Sequence, residues 1–198
     1  VVYPKYQDTT VEELNEEIIY EENFENSFDS DNNYNKTYEG GPKDREWLIY
    51  YGAVSTTSPI EGKQSIQMRW YNSAPNNLGY SETKFTLKNV TKVEFYASGQ
   101  STINLIVSYS YNGEDFIGEE IFTLTDSAQK YTYDVFAEGE IYLKFQMTFE
   151  SNPADKSRLY IDDIKVYGIV NPVEKANEFR NTYHDILNKT VDTIQLED

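Results

Sequence analysis

The chain contains no cysteine, which excludes disulfides, thiolate zinc sites and a cysteine nucleophile together. Histidine occurs once, at His184. A Ser–His–Asp apparatus needs its histidine pressed against the nucleophile inside a pocket. His184 instead lies in a trailing segment with helical spacing, so no such catalysis is expected. Bases are scarce: 17 Lys and Arg stand against 34 Asp and Glu, a net charge of −17. That surface repels polyphosphate and anionic lipid, which argues against nucleic-acid and membrane-surface roles. No apolar run approaches the roughly 18 residues of a membrane span. No phosphate-binding glycine loop or zinc motif occurs, and no spacing singles out two acids for glycoside hydrolysis. The expectation is a protein that is not an enzyme.

Aromatic residues are what the chain has in plenty: 18 Tyr, 10 Phe and 2 Trp in 198 residues of only 38% hydrophobic content. Large rings let few residues build a core. They fall in short alternating runs. Ile18–Asn26, Trp47–Val54, Ser65–Trp70, Lys92–Ala97, Ile103–Tyr109, Glu119–Leu124, Lys130–Val135, Ile141–Phe149 and Leu159–Val166 each read as a strand. In Ile141–Phe149 the apolar Ile141, Leu143, Phe145, Met147 and Phe149 alternate with Tyr142, Lys144, Gln146 and Thr148, the pattern of a sheet with one buried face. Asn112-Gly113 marks a hairpin between two of the runs. The expected fold is all-β: an antiparallel two-sheet β-sandwich of the jelly-roll kind, over residues 18–168.

Residues 1–17 read as a tether. The chain starts at Val1 without a charged-then-apolar leader, as a processed product or an internal fragment would. After Gly168 the period changes. Asn171-Pro172 starts a helix, and Ala176, Phe179, Tyr183, Ile186, Leu187 and Ile194 form one apolar stripe. Residues 171–198 are therefore expected to be a C-terminal α-helix, a linker or the start of a following module.

The run Arg158–Gly168 carries an anomaly, because Asp162 and Asp163 sit side by side inside a strand pattern and Asp is disfavoured there. Continuing the phase of Ile164 and Val166 backwards puts Asp162 on their face, unless a bulge intervenes. One reading solvates one aspartate and pairs the other with Arg158 or Lys165. The Asp29-Ser-Asp31 loop is an alternative acidic site. Aromatics with polar neighbours form the second candidate, because sugar rings stack on exposed Trp or Tyr while polar side chains read the hydroxyls. Trp47, Tyr50 and Tyr51 lie together, as do Trp70 and Tyr71 beside Gln67 and Arg69. The expected glycan contacts are Trp47, Tyr51, Arg69, Trp70 and Tyr71, and Tyr96 and Tyr142 should also face outwards. The plainer reading places half of these rings in the core.

Asn23-Phe24-Glu25, Val107–Gly113 and Tyr160–Val166 together make residues 18–168 resemble the jelly-roll modules of secreted bacterial proteins. Carbohydrate-binding modules and cleaved-adhesin or MAM-like domains belong to that group. The tail Phe179–Leu196 resembles the first helical spacer repeat of Gram-positive surface proteins. The resemblance implies an extracellular, non-catalytic, monomeric module that binds a glycan or surface polysaccharide. It also implies a structural calcium held by Glu25 and one or both of Asp162 and Asp163. Calcium's six to eight oxygen ligands give that site an independent basis, since carboxylates brought together without a cation repel. A structural or adhesive protein–protein module, or an accessory domain of a secreted glycosidase or nuclease, is the alternative.

Overall fold

The computed structural model describes residues 15–26, 28–31, 33–34, 36 and onward to 171. The expected C-terminal helix, with His184, and most of the N-terminal tether lie outside the described residues. Residues 18–168 form one compact unit, and no helix occurs among the described residues.

Thirteen strands follow one another: β1 (Asn15–Glu22), β2 (Thr37–Gly40), β3 (Trp47–Tyr50), β4 (Gly52–Ser55), β5 (Ser65–Arg69), β6 (Tyr80–Thr83) and β7 (Leu87–Lys88), then β8 (Val90–Gly99), β9 (Ile103–Ser110), β10 (Ile117–Phe122), β11 (Gln129–Asp134), β12 (Glu140–Phe149) and β13 (Arg158–Val170). A six-stranded sheet runs β11-β8-β13-β5-β4, with β1 also paired to β13. A seven-stranded sheet runs β10-β9-β12-β6-β3-β2, with β7 also paired to β12. Every pairing of defined register is antiparallel. The two sheets make the expected β-sandwich.

Alternation builds the core. Ile141, Leu143, Phe145 and Met147 of β12 are buried, while Tyr142, Lys144 and Gln146 between them are half-exposed. Phe95 of β8 meets Phe145 of β12 edge-on, with ring centroids 5.3 Å apart, so each sheet gives a ring to the interface. The run 47–54, expected as a single strand, is two. Tyr51 adopts a left-handed backbone (φ 49°), which breaks the extended chain. β3 and β4 thereby enter different sheets. Asn112 performs the expected turn role in a longer loop, its Oδ1 accepting the backbone N–H groups of Glu114 and Asp115 at 2.9 Å.

The aspartate pair of β13 marks a second break. Asp162 stands opposite Tyr96 of β8 and Lys165 opposite Glu94, so Asp163 and Ile164 both face Phe95 across the ladder. This is a β-bulge, and Asp163 has the left-handed backbone (φ 47°) that Asp tolerates better than most residues. Before the bulge Leu159 and Ile161 point inwards, and after it Ile164 and Val166 do. The expected shared face of Asp162, Ile164 and Val166 is therefore corrected: Asp162 points outwards with Tyr160.

Candidate functional site

The outward face of the seven-stranded sheet is laid out by strand register. Thr37, Tyr50, Tyr80, Gln146, Ile106 and Ile121 are successive cross-strand partners in one row. Glu39, Leu48, Glu82, Lys144 and Ser108 form the next. Tyr50 and Tyr80 stack with centroids 5.2 Å apart and planes 30° apart. Tyr51 leans on Tyr50 at 4.8 Å and accepts a hydrogen bond from the Asn77 side-chain amide. Lys144 places its ammonium 4.2 Å from the Tyr80 centroid and 4.8 Å from that of Phe116, two cation–π contacts. Phe116 comes from the β9–β10 loop, so loops flank the face on both sides.

Tyr50, Tyr80, Glu82, Lys144 and Gln146 point away from the core, yet each is only half-exposed. Burial accordingly raises the Glu82 carboxyl above its ordinary range, against the pull of Lys144 and Lys84. Burial likewise raises the Tyr80 hydroxyl, helped by Glu82 and Tyr50. The surface combines a flat aromatic patch with a carboxylate, an ammonium and a primary amide. Such a set can stack against the C–H face of a ring and exchange hydrogen bonds with hydroxyls beside it.

Four of the five residues expected there are elsewhere, two of them in the core. Trp47 is 0% exposed, donates from Nε1 to the Tyr20 hydroxyl at 2.8 Å, and packs against Phe24, Phe85 and Phe145. Trp70 is 1% exposed, with Nε1 donating to the Pro75 carbonyl and its ring edge-on to Phe149. Both are core residues, because a ring this large lowers the free energy most when fully covered. Neither offers a stacking face. Tyr51 borders the aromatic patch. Arg69 and Tyr71 belong to the outward side of the other sheet, where the Arg69 guanidinium lies 4.4 Å from the Tyr34 ring and 5.9 Å from that of Tyr71. Tyr96 and Tyr142 are half-exposed on outward positions. Sequence reading passed over Tyr80, Glu82 and Lys144. The alternation of β12 already placed Lys144 outwards, but β6 is four residues long and shows no pattern on its own.

The acidic residues of β13 and the segment after β1 converge on one loop. Asp162 is 1% exposed, with Oδ2 accepting the Glu61 N–H at 3.0 Å and Oδ1 accepting the Asp163 N–H at 2.8 Å. Glu25 accepts the N–H groups of Lys63 (2.7 Å) and Gln64 (3.1 Å) through Oε1. Gly62 between them has φ 60°, and a Cβ there would collide with the Glu25 carboxylate. Gln64 completes the latch by donating to the carbonyls of Phe24 and Phe28. Burial pushes the Asp162 carboxyl up to about 6, against the two N–H donors, and the charges of Asp163 and Glu25 push the same way. Among the described residues no three acidic or histidine side chains form a metal-binding group. Asp31, of the alternative acidic loop, pairs with Lys36 at 2.5 Å.

No family model and no curated protein matches the chain. Solved structures similar to this chain include the xylan-binding CBM22-1 domain of Paenibacillus barcinonensis Xyn10C, at 15% identity over 78% of this chain and 96% of that one, with a TM-score of 0.45. TmCBM61 in complex with β-1,4-galactotriose is 14% identical over 62% of this chain and 88% of that one, with a TM-score of 0.42. A family 29 carbohydrate-binding module complexed with mannohexaose is 12% identical over 77% and 92%, with a TM-score of 0.47.

Proposed function

We propose that residues 18–168 are a non-catalytic glycan-binding module whose sugar-binding surface is the outward face of the seven-stranded sheet. The observation that carries this is the stacked Tyr50–Tyr80 pair, set in register beside Glu82, Lys144 and Gln146 on a face flanked by loops. Tyrosine offers a rigid ring with a polar tip, which suits a ligand that is apolar on its faces and polar at its rim. The ligand is a neutral polysaccharide chain lying across the strands, and the parent protein is secreted or displayed on a bacterial surface. A glycan array probed with the chain and with Tyr80→Ala tests this. Binding to one sugar class that is lost in the variant is expected; a blank array overturns the reading.

A structural calcium belongs to the same proposal. Asp162 and Glu25 would hold it, with loop carbonyls completing the oxygen shell and Asp163 adding its charge nearby. The support is chemical: Asp162 is a buried carboxyl with another carboxylate near it, and no ion pair reaches it among the described residues. A calcium ion would satisfy both acids and pin the latch. Calcium should raise the melting temperature by mass action. Identical melting in calcium and in chelator would remove the metal from the proposal.

A further inference from the structure

The outward side of the six-stranded sheet holds an unusual pair of bases. Arg69 of β5 and Arg158 of β13 are direct cross-strand partners. Both fall on the outward phase, since Met68 and Leu159 beside them are fully buried in the core. Adjacent like charges on a sheet face repel. The Nε of each arginine is removed from solvent and lacks a hydrogen-bond partner, while both residues as a whole are half-exposed. No carboxylate makes an ion pair with either guanidinium among the described residues. Arg69 has a long Nη1 contact of 3.5 Å with the Tyr71 hydroxyl and rests on the Tyr34 ring. Asp155, in the neighbouring loop, spends its Oδ1 on the Asn72 N–H.

In a chain with twice as many acids as bases, two half-buried guanidiniums without a carboxylate partner among the described residues run against the composition. An oxyanion is the partner that two such groups would accept together. Two adjacent planar forks match the in-plane oxygens of a carboxylate far better than ammonium groups would. Tyr71, half-exposed beside Arg69, offers a ring to the ligand's carrier.

We propose that Arg69 and Arg158 form a second binding site, for the carboxylate of an acidic saccharide such as a hexuronate unit. Its location on the opposite sheet separates it from the Tyr50–Tyr80 face. The choice of a saccharide as carrier rests on the glycan-binding reading above; the oxyanion site itself does not.

The test is calorimetric titration of the chain with trigalacturonate, neutral galactotriose and sodium sulfate at two salt concentrations. Trigalacturonate should bind, more weakly at high salt. Arg158→Gln and Arg69→Gln should each weaken it about ten- to a hundredfold. Arg158→Lys, which keeps the charge and disturbs no contact with Tyr34, should weaken it several-fold through loss of the fork. Tyr80→Ala should leave it unchanged. Failure of trigalacturonate to bind, or binding indifferent to the arginine variants, overturns the proposal. Sulfate binding as tight as trigalacturonate with the same arginine dependence overturns the saccharide assignment. Loss of neutral-glycan binding alone would fall on the Tyr80 face and not on this site.

Discussion

The outward faces of the two sheets share the same alternation of side chains, but the Tyr50–Lys144 region of one and the Gln67–Asp162 region of the other have opposite surroundings. On the seven-stranded sheet Tyr50, Tyr80, Glu82 and Lys144 remain in contact with solvent. On the six-stranded sheet Gln67, Ser98 and Asp162 occupy equivalent outward positions and are buried. The cover comes from polar loops. Tyr34 reaches over the sheet to hydrogen-bond Ser55 (2.9 Å) and Gln67 (3.4 Å), and the segment around Glu61–Gln64 is tied down by Asp162 and Glu25. A strand pattern therefore says which side chains leave the core, and loop anchoring decides which of those reach water. The open face is available for binding, while the covered one does structural work except where its two arginines remain unmatched.

The sharpest break of this comparison is Tyr34→Ala. Removing a buried ring that covers one face should cost about 3–4 kcal/mol of stability, read as a lowered urea midpoint at unchanged slope. A cost below about 1 kcal/mol would mean that the loop is not a true cover. Tyr80→Ala on the open face should behave in the opposite way. Its stability cost should stay within about 1 kcal/mol, while glycan affinity falls by about 2 kcal/mol, roughly thirtyfold. Equal losses in folding and binding would erase the distinction between the faces.

Asp162 gives a finer test through pH. Its carboxyl is raised to about 6 in the fold, from 3.8 when free. The folded chain takes up that proton first, so between about pH 6.5 and 4 this group makes the metal-free protein more stable as pH falls. Above that window its contribution is flat. Glu22 and Glu82, also raised chiefly by burial, act with the same sign, and Glu94, lowered chiefly by its hydrogen bond with Lys130, acts against them. The signal is thus the difference between the native chain and Asp162→Asn in chelator: the native melting temperature should climb on acidification more than the variant's. Saturating calcium should flatten the native curve, because a coordinated carboxylate stays ionised. Parallel curves in chelator would show that Asp162 is not desolvated.

The smallest effect is expected at Phe136, 76% exposed with φ 51°. Asn accepts that backbone more readily, and Phe136→Asn should change stability by no more than about 0.5 kcal/mol. A larger loss would mean that this exposed ring is covered in solution.

The architecture was legible because alternation is a local signal. β12 could be read residue by residue, and so could the reversal at Asn112. The switch of sheets at Tyr51 was not, because an apolar run such as 47–54 looks alike whether it is continuous or broken by one left-handed residue. The same limitation misplaced Asp162, whose direction turns on a single bulge. Trp47 and Trp70 were expected outside for their chemistry and went inside for their area. Tyr51 borders the proposed glycan patch, but Tyr80 and Glu82 belong to it through pairing with β3 and β12, which no local pattern reveals. Arg69 was noticed next to Trp70 and Tyr71, whereas its meaning depends on Arg158, a partner brought to it by the last strand.

That last strand has a consequence for how the chain is made. β13 lies between β8 and β5, in the middle of its sheet. The Glu61 N–H that closes the latch finds its acceptor 101 residues further on. During synthesis the β4–β5 pair and β8 leave the ribosome with a vacant place between them, and the register of the pair against β8 cannot be final until β13 arrives. The six-stranded sheet is thus completed only after nearly all of the module has been translated. A ribosome-stalled fragment ending before Arg158 should remain open to protease, and one carrying β13 clear of the exit tunnel should become resistant in a single step.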